Sequence, residues 1–218
     1  MGCFGYFLLF FGLVIGQTPP EYSPSTSNLL NVTFNGNKRI YPGQALQPDE
    51  ATYIPRLSSK HLNMFDNYVA FMMDVEIIHS GVAYPLLHWY QPDMLADYTN
   101  GDEFVLSNFT NSGAPYVGPQ PNPGPSHSYV ILLFRQPPIY KFPQCFDTIF
   151  PISLETRGGF DLPAFIKIAG LGELLGANWF TSQTPESRVT STSLSKASCV
   201  TWAASSRQGV LQKDDLWT

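Results

Sequence analysis

Charge is scarce in this chain. Asp, Glu, Lys and Arg make up 13% of its 218 residues, and the 12 Lys and Arg form no cluster. Nothing could neutralise a run of phosphates, which excludes a nucleic-acid partner. No basic amphipathic stretch is present to hold the chain on an anionic membrane, and the net charge of −5 is mild. Cysteine is limited to three residues with no clustered partners at ligand spacing, so no metal site and no cofactor is expected. Beyond the N-terminus no apolar run is long enough to span a bilayer, so stable membrane insertion is not expected.

What is abundant points to strands. With 19 Pro and 17 Gly, long helices are disfavoured, while 16 Phe and 11 Tyr suit a β-rich fold. At 44% hydrophobic residues the chain can bury one sizeable core. Residues 1–16 are apolar and uncharged, end in small residues before Thr18-Pro19-Pro20, and are too short to span about 30 Å of hydrocarbon as a helix. They read as a signal peptide of a secreted protein, with a domain over 17–183. The Ser/Thr-rich segment 184–218 reads as a disordered tail. Two sequons, Asn31-Val32-Thr33 and Asn108-Phe109-Thr110, suit an extracellular glycoprotein. Cleavage would leave Cys145 and Cys199, which have one possible pairing in an oxidising compartment; Cys199 lies in the polar tail, which leaves the bridge open.

Within the domain, Leu29 to Phe34 reads as a strand ended by the turn signal Asn35-Gly36-Asn37. Tyr68 to Val75, Leu86 to Gln91 and Tyr129 to Phe134 are apolar runs with the composition of fully buried strands. Ser112 to Pro125 is too rich in Pro and Gly for regular structure. Leu162 to Leu175 has helical spacing, with Phe165, Ile168 and Leu171 on one stripe and Gly176-Ala177-Asn178 as terminator. His88 lies within the second of these apolar runs, and His127 stands two residues before the third. An imidazole at the mouth of a strand-built pocket can donate to an anion, whereas a lone histidine of this kind is as readily a core residue bonded to a carbonyl.

The blocks Asp74-Val75-Glu76, Leu87-His88-Trp89, Ser112-Gly113-Ala114-Pro115-Tyr116 and Gly124-Pro125-Ser126-His127-Ser128-Tyr129 fall in an order and spacing that resembles the phosphatidylethanolamine-binding protein family. The closing stretch from Phe160 to Gln183 is similar to the end of that domain in secreted fungal members. The resemblance implies a mainly β, sandwich-like fold with a few short peripheral helices. It also implies a small pocket for a phosphate, a phospholipid headgroup or a similar anion, lined by Asp74, Glu76, His88, Ser112, Gly113, Pro115, His127 and Tyr129. Free N–H groups of the Ser112-Gly113 turn would join the imidazoles and the phenol as donors. The family also contains a carboxypeptidase Y inhibitor, which implies an alternative: a protein-interaction module acting on a peptidase, with the pocket vestigial.

Two departures from the family pattern bear on the pocket. Its usual Asp-Pro-Asp-Ala-Pro becomes Asp74-Val75-Glu76-Ile77-Ile78, losing two stiffening prolines. Tyr84-Pro85 stands where the family tends to have a cis peptide, and proline lowers the cis cost to about 0.5–1 kcal/mol, so a cis bond is expected there. An enzyme is not expected. Gly-X-Ser-X-Gly is absent, and Asp74 with Glu76 project from one short segment instead of facing each other across a cleft.

Overall fold

The computed structural model of the chain describes residues 16–98, 103–108, 110, 112–151 and 153–186. The expected signal peptide, apart from Gly16, lies outside these residues, as do Cys199 and the segment beyond 186. Cys145 itself is exposed.

The alternation of side chains along each strand explains the architecture. The strands are β1 (Asn31–Phe34), β2 (Lys38–Arg39), β3 (Gln44–Leu46), β4 (Arg56–Ser59), β5 (Asn67–Asp74), β6 (Ile78–His79), β7 (Val82–Ala83), β8 (Leu86–Tyr98), β9 (Phe104–Asn108), β10 (His127–Gln136) and β11 (Leu174–Ser182), with helix α1 (Leu162–Ala169) between the last two. Short 3-10 turns occupy Pro48–Ala51, Gln144–Ile149 and Leu154–Arg157. All but β6 and β7 join one mixed sheet in the order β2-β1-β4-β9-β8-β5-β10-β11-β3. The sheet curls until the residues before β1 reach its far side: Leu30 N–H donates to Ala177 O, and Ala177 N–H to Asn28 O. Asn178 ties the same contact from its side chain, donating to Leu30 O at 2.9 Å.

Both faces of this curled sheet are covered, which is why the central strands are continuous apolar runs. In β5, Tyr68, Ala70 and Met72 point into the curl, where they meet Trp89, Tyr129, Ile131, Leu133 and Phe180. Val69, Phe71 and Met73 point outward to Val130, Leu132, Phe134 and the helical segments. The mainly β fold with few short helices is therefore as expected.

Several local readings are corrected. Helix α1 ends at Ala169, because Gly170 adopts the left-handed conformation (φ 63°) and its N–H returns to Ile166 O. Leu174 onward is not helix but β11, paired along its length with β10. The buried stripe is Leu162, Phe165 and Ala169, and Ile168 is exposed. A helix-like spacing that ran on past Gly170 hid a strand that is buried on both faces. The turn at Asn35-Gly36 is as read, with both residues at positive φ, the geometry of the tight hairpin between β1 and β2.

Tyr84-Pro85 is trans; Ser23-Pro24 is the cis bond among the described residues. Tyr84 is held as an extension of the β6-β7 hairpin by its N–H to Ile77 O at 2.8 Å, and Phe160 N–H donates to Pro85 O. The Tyr84 ring lies on Gly158 and Gly159, where any side chain would collide with it: a Cβ there would come within 2.3 and 2.6 Å of ring carbons.

Candidate functional site

The site forms where three adjacent strands, β8, β5 and β10, end together. Asp74 closes β5, opposite Tyr129 in β10 and Leu86 in β8. Two positions before the end of β5 the register slips, with Met72 opposite Trp89 but Met73 opposite Leu87. His88 is the extra residue of this β-bulge. The bulge reverses the alternation, so Leu87 faces the outer core while Trp89 faces the inner one. That irregularity delivers His88 to the cavity instead of leaving it as an ordinary member of the run.

A cavity of about 330 Å³ is lined by Asp74, Glu76, His88, His127 and Tyr129, with Gln120, Pro121 and Asn122 from the Pro/Gly-rich loop and Ile77, Ile78, Leu86 and Leu154 completing the wall. Five of the eight expected residues thus meet. Asp74, buried, accepts from His127 Nδ1 through Oδ2 at 2.7 Å and from Glu76 N–H through Oδ1 at 3.0 Å. This second bond closes a turn, and with the β6-β7 hairpin it orders the loop that lacks the two prolines. His88 and Val117 bond reciprocally: the imidazole Nδ1–H donates to Val117 O at 2.9 Å, and Val117 N–H donates to His88 O at 2.9 Å. Tyr129 stacks on Phe180 (centroids 5.3 Å, 15°) and meets the His88 ring edge-on at 5.2 Å. His88 Nε2 and Tyr129 Oη are buried without a hydrogen-bond partner, although both residues line the cavity. One nitrogen of His88 thus serves the fold, while the other is left without a partner beside the cavity.

Ser112, Gly113 and Pro115 do not line this cavity. Ser112 Oγ donates to Asp93 Oδ2 at 3.2 Å. Gly113 lies so close to β8 that a Cβ would stand 2.3 Å from Tyr90 O, so glycine is required by backbone contact. Pro115 O accepts from Arg157 Nη1 at 2.7 Å. The loop reaches the cavity through its later half, residues 120–122. Arg157 carried no signal in the sequence. It is 1% exposed, its Nε donates to Pro151 O at 3.0 Å, and it fastens the loop over His88 from behind. Among the described residues no three His, Cys, Asp or Glu groups are gathered closely enough to hold a metal ion.

Burial pushes the His88 pKa below its ordinary value, against the smaller opposing effects of the Val117 carbonyl and Asp74. Burial, with Asp74 adding to it, pushes the Tyr129 phenol far upward, so the phenol stays protonated. For His88 the folded state binds the proton less well than the unfolded chain. It therefore contributes stability that is fully present above the unfolded value of about 6.5 and is lost as pH falls through and below it. Urea unfolding from pH 7 to pH 5 is expected to show a steeper loss in the wild type than in His88→Phe; equal slopes would refute this assignment.

Of the two sequons, Asn108 is exposed at the end of β9, its Oδ1 accepting from Thr110 N–H at 2.9 Å. Asn31 is a different case. Its Nδ2, the atom a glycan would take, donates to Glu103 Oε1 at 2.6 Å, its Oδ1 accepts from Arg39, and the residue is 8% exposed within β1. A glycan on Asn31, as expected from the sequon, would have to displace these bonds.

The fold is a curled, doubly covered β-sheet whose strand ends form a small cavity lined by two histidines, two acids and a tyrosine. Residues 28–183 match the family model for phosphatidylethanolamine-binding protein, and the chain belongs to that family. It is 36% identical over 179 residues to phomoidride biosynthesis cluster protein N of Talaromyces stipitatus, covering 77% of this chain and 90% of that protein. It is 28% identical to CEN-like protein 1 of Nicotiana tabacum, over 78% of this chain and 88% of the relative. Among solved structures it resembles the carboxypeptidase Y inhibitor, crystallised with its cognate proteinase, at a TM-score of 0.55 and 20% identity, covering 73% of this chain and 85% of that one; at that identity the likeness is one of fold.

Proposed function

We propose that the protein is a binding protein, not an enzyme, whose pocket takes a small phosphate-bearing anion, either free or as part of a larger molecule. The observation that carries this reading is the pair of buried, unpartnered polar atoms, His88 Nε2 and Tyr129 Oη, on the wall of a cavity of about 330 Å³. A buried polar atom left without a partner costs about 1–3 kcal/mol, a cost a bound ligand relieves. His127, held by Asp74 through Nδ1, donates from its other nitrogen to an anion when its ring is protonated. Titration with phosphate, followed by NMR of the histidine side chains, is expected to shift His88 and His127 in the wild type and to shift His127 only at much higher phosphate in His88→Ala. Unmoved imidazoles in the wild type would end this reading.

A second reading, a peptidase inhibitor or other protein-interaction module, draws support from a wider depression beside the pocket. It has about 700 Å³ of space, is lined by Pro48, Thr52, Tyr116 and Pro119 among others, and shares Gln120 and Leu154 with the pocket. Inhibition of a carboxypeptidase that survives His88→Ala would assign partner binding to this surface and not to the pocket.

We infer further that the chain is exported, on the strength of its apolar, uncharged first 16 residues. Expression in a secretory host is expected to yield a product beginning near Gln17, with a glycan on Asn108 and none on Asn31. Mass spectrometry of the peptides reads both, and retention of the leader in a cell-bound product would count against export.

A further inference from the structure

The hydrogen-bonding polarity of the pocket says more than that it takes an anion. The Val117 carbonyl can only accept, so His88 Nδ1 carries a hydrogen whatever the charge of the ring. In the neutral ring Nε2 is then a lone pair, an acceptor pointing into a site built for an acceptor-rich ligand. Burial favours that neutral ring, and the nearby Arg157 guanidinium works in the same direction, while Asp74 works against it. The other ionisable groups facing the cavity are Glu76, His127 and Tyr129. Tyr129 Oη can donate to the ligand, and His127 adds an N–H on its free nitrogen when its ring is protonated. In the structure none of these donates to His88 Nε2, which is buried without a partner.

We propose that the pocket selects an oxyanion that still carries a proton, a singly protonated phosphate or phosphomonoester, over sulfate or a phosphodiester. The ligand's P–OH donates to His88 Nε2, and its remaining oxygens accept from Tyr129 and His127. Sulfate and the phosphate group of a diester have no hydrogen to give, and leave Nε2 buried and unpaired. A diester phosphate is thereby disfavoured relative to free phosphate or a phosphomonoester. The proposal rests on the anion-binding reading above and sharpens it to one protonation state.

Calorimetric titration of the full chain with inorganic phosphate, methyl phosphate, dimethyl phosphate and sulfate tests it. Near pH 6, about the second pKa of a phosphate monoester, much of the first two ligands carries the required proton. Phosphate and methyl phosphate are expected to bind at least about tenfold more tightly than sulfate and dimethyl phosphate. Sulfate or the diester binding as tightly as phosphate would overturn the proposal while leaving the anion reading intact, whereas no binding by any of the four would overturn both. A measurement without a variant reads the same point: nitrogen NMR of the phosphate complex is expected to show His88 with hydrogen on Nδ1 and a hydrogen-bonded lone pair on Nε2. A hydrogen on both nitrogens in that complex would refute it. In His88→Phe the preference for phosphate over sulfate is expected to collapse to within about twofold, and a preference kept in that variant would also refute it.

Discussion

Replacing Phe71 with alanine is expected to destabilise the domain by about 3–5 kcal/mol, the range for removing a fully buried phenylalanine. Phe71 is 0% exposed and stands at the centre of the outer core. Its ring meets those of Tyr90 and Phe165 at 5.4 Å, Phe134 at 5.8 Å and Phe160 at 6.1 Å. These partners belong to β8, β10, α1 and the segment just before α1. The cavity left by truncation would thus be walled by several independent elements that cannot all close in on it. Urea midpoints of Phe71→Ala and Ile139→Ala give the contrast, since Ile139 is 82% exposed and its loss should change stability by no more than about 0.5 kcal/mol. A Phe71 effect as small as that of Ile139 would show that the helical layer does not stabilise the sheet.

Arg157→Ala is expected to be the other severe change, and to reach the pocket as well. The guanidinium is buried, holds Pro115 O and Pro151 O, and among the described residues has no carboxylate partner. Hydrogen bonds from a charged donor contribute about 1.5–3 kcal/mol each, so truncation should cost about 3 kcal/mol or more, together with lost packing. The loop it fastens supplies Val117 O to His88 and Gln120, Pro121 and Asn122 to the cavity wall. Affinity for phosphate is therefore expected to fall even under conditions where the variant remains folded. Arg157→Lys should not restore it, because a single ammonium cannot reproduce the planar fork that reaches two carbonyls. Wild-type affinity in folded Arg157→Ala would show that the loop holds its place without this anchor.

The β character of the fold and the identity of its central strands were legible because strands covered on both faces read as unbroken apolar runs, as Tyr68 to Val75 and Tyr129 to Phe134 do. The same property hid β11. Leu174 to Ser182 follows helix α1 after only four residues, Gly170-Leu171-Gly172-Glu173, and the left-handed Gly170 is what ends the helix. The pocket was legible in part for a related reason. Asp74, His88, His127 and Tyr129 are polar groups set in apolar strands, and such residues are conspicuous because burying them requires a partner or a purpose.

Ser112, Gly113 and Pro115 carry the same loop composition as Gln120, Pro121 and Asn122, so no local property tells which half of the loop turns toward the cavity. That depends on the approach of Gly113 to the backbone of β8 and on the reach of Arg157 from a distant 3-10 turn. By itself the sequence determined which chemical groups are available and which strands must be buried, since residue type and period act locally. The tertiary structure decided which of those groups meet. A one-residue bulge opposite Met72 and Met73 turns His88 into the cavity, and a carbonyl from a loop 29 residues away selects which of its nitrogens is left for a ligand. Register and loop closure are set by contacts between segments far apart in the chain, and no stretch of sequence carries them alone.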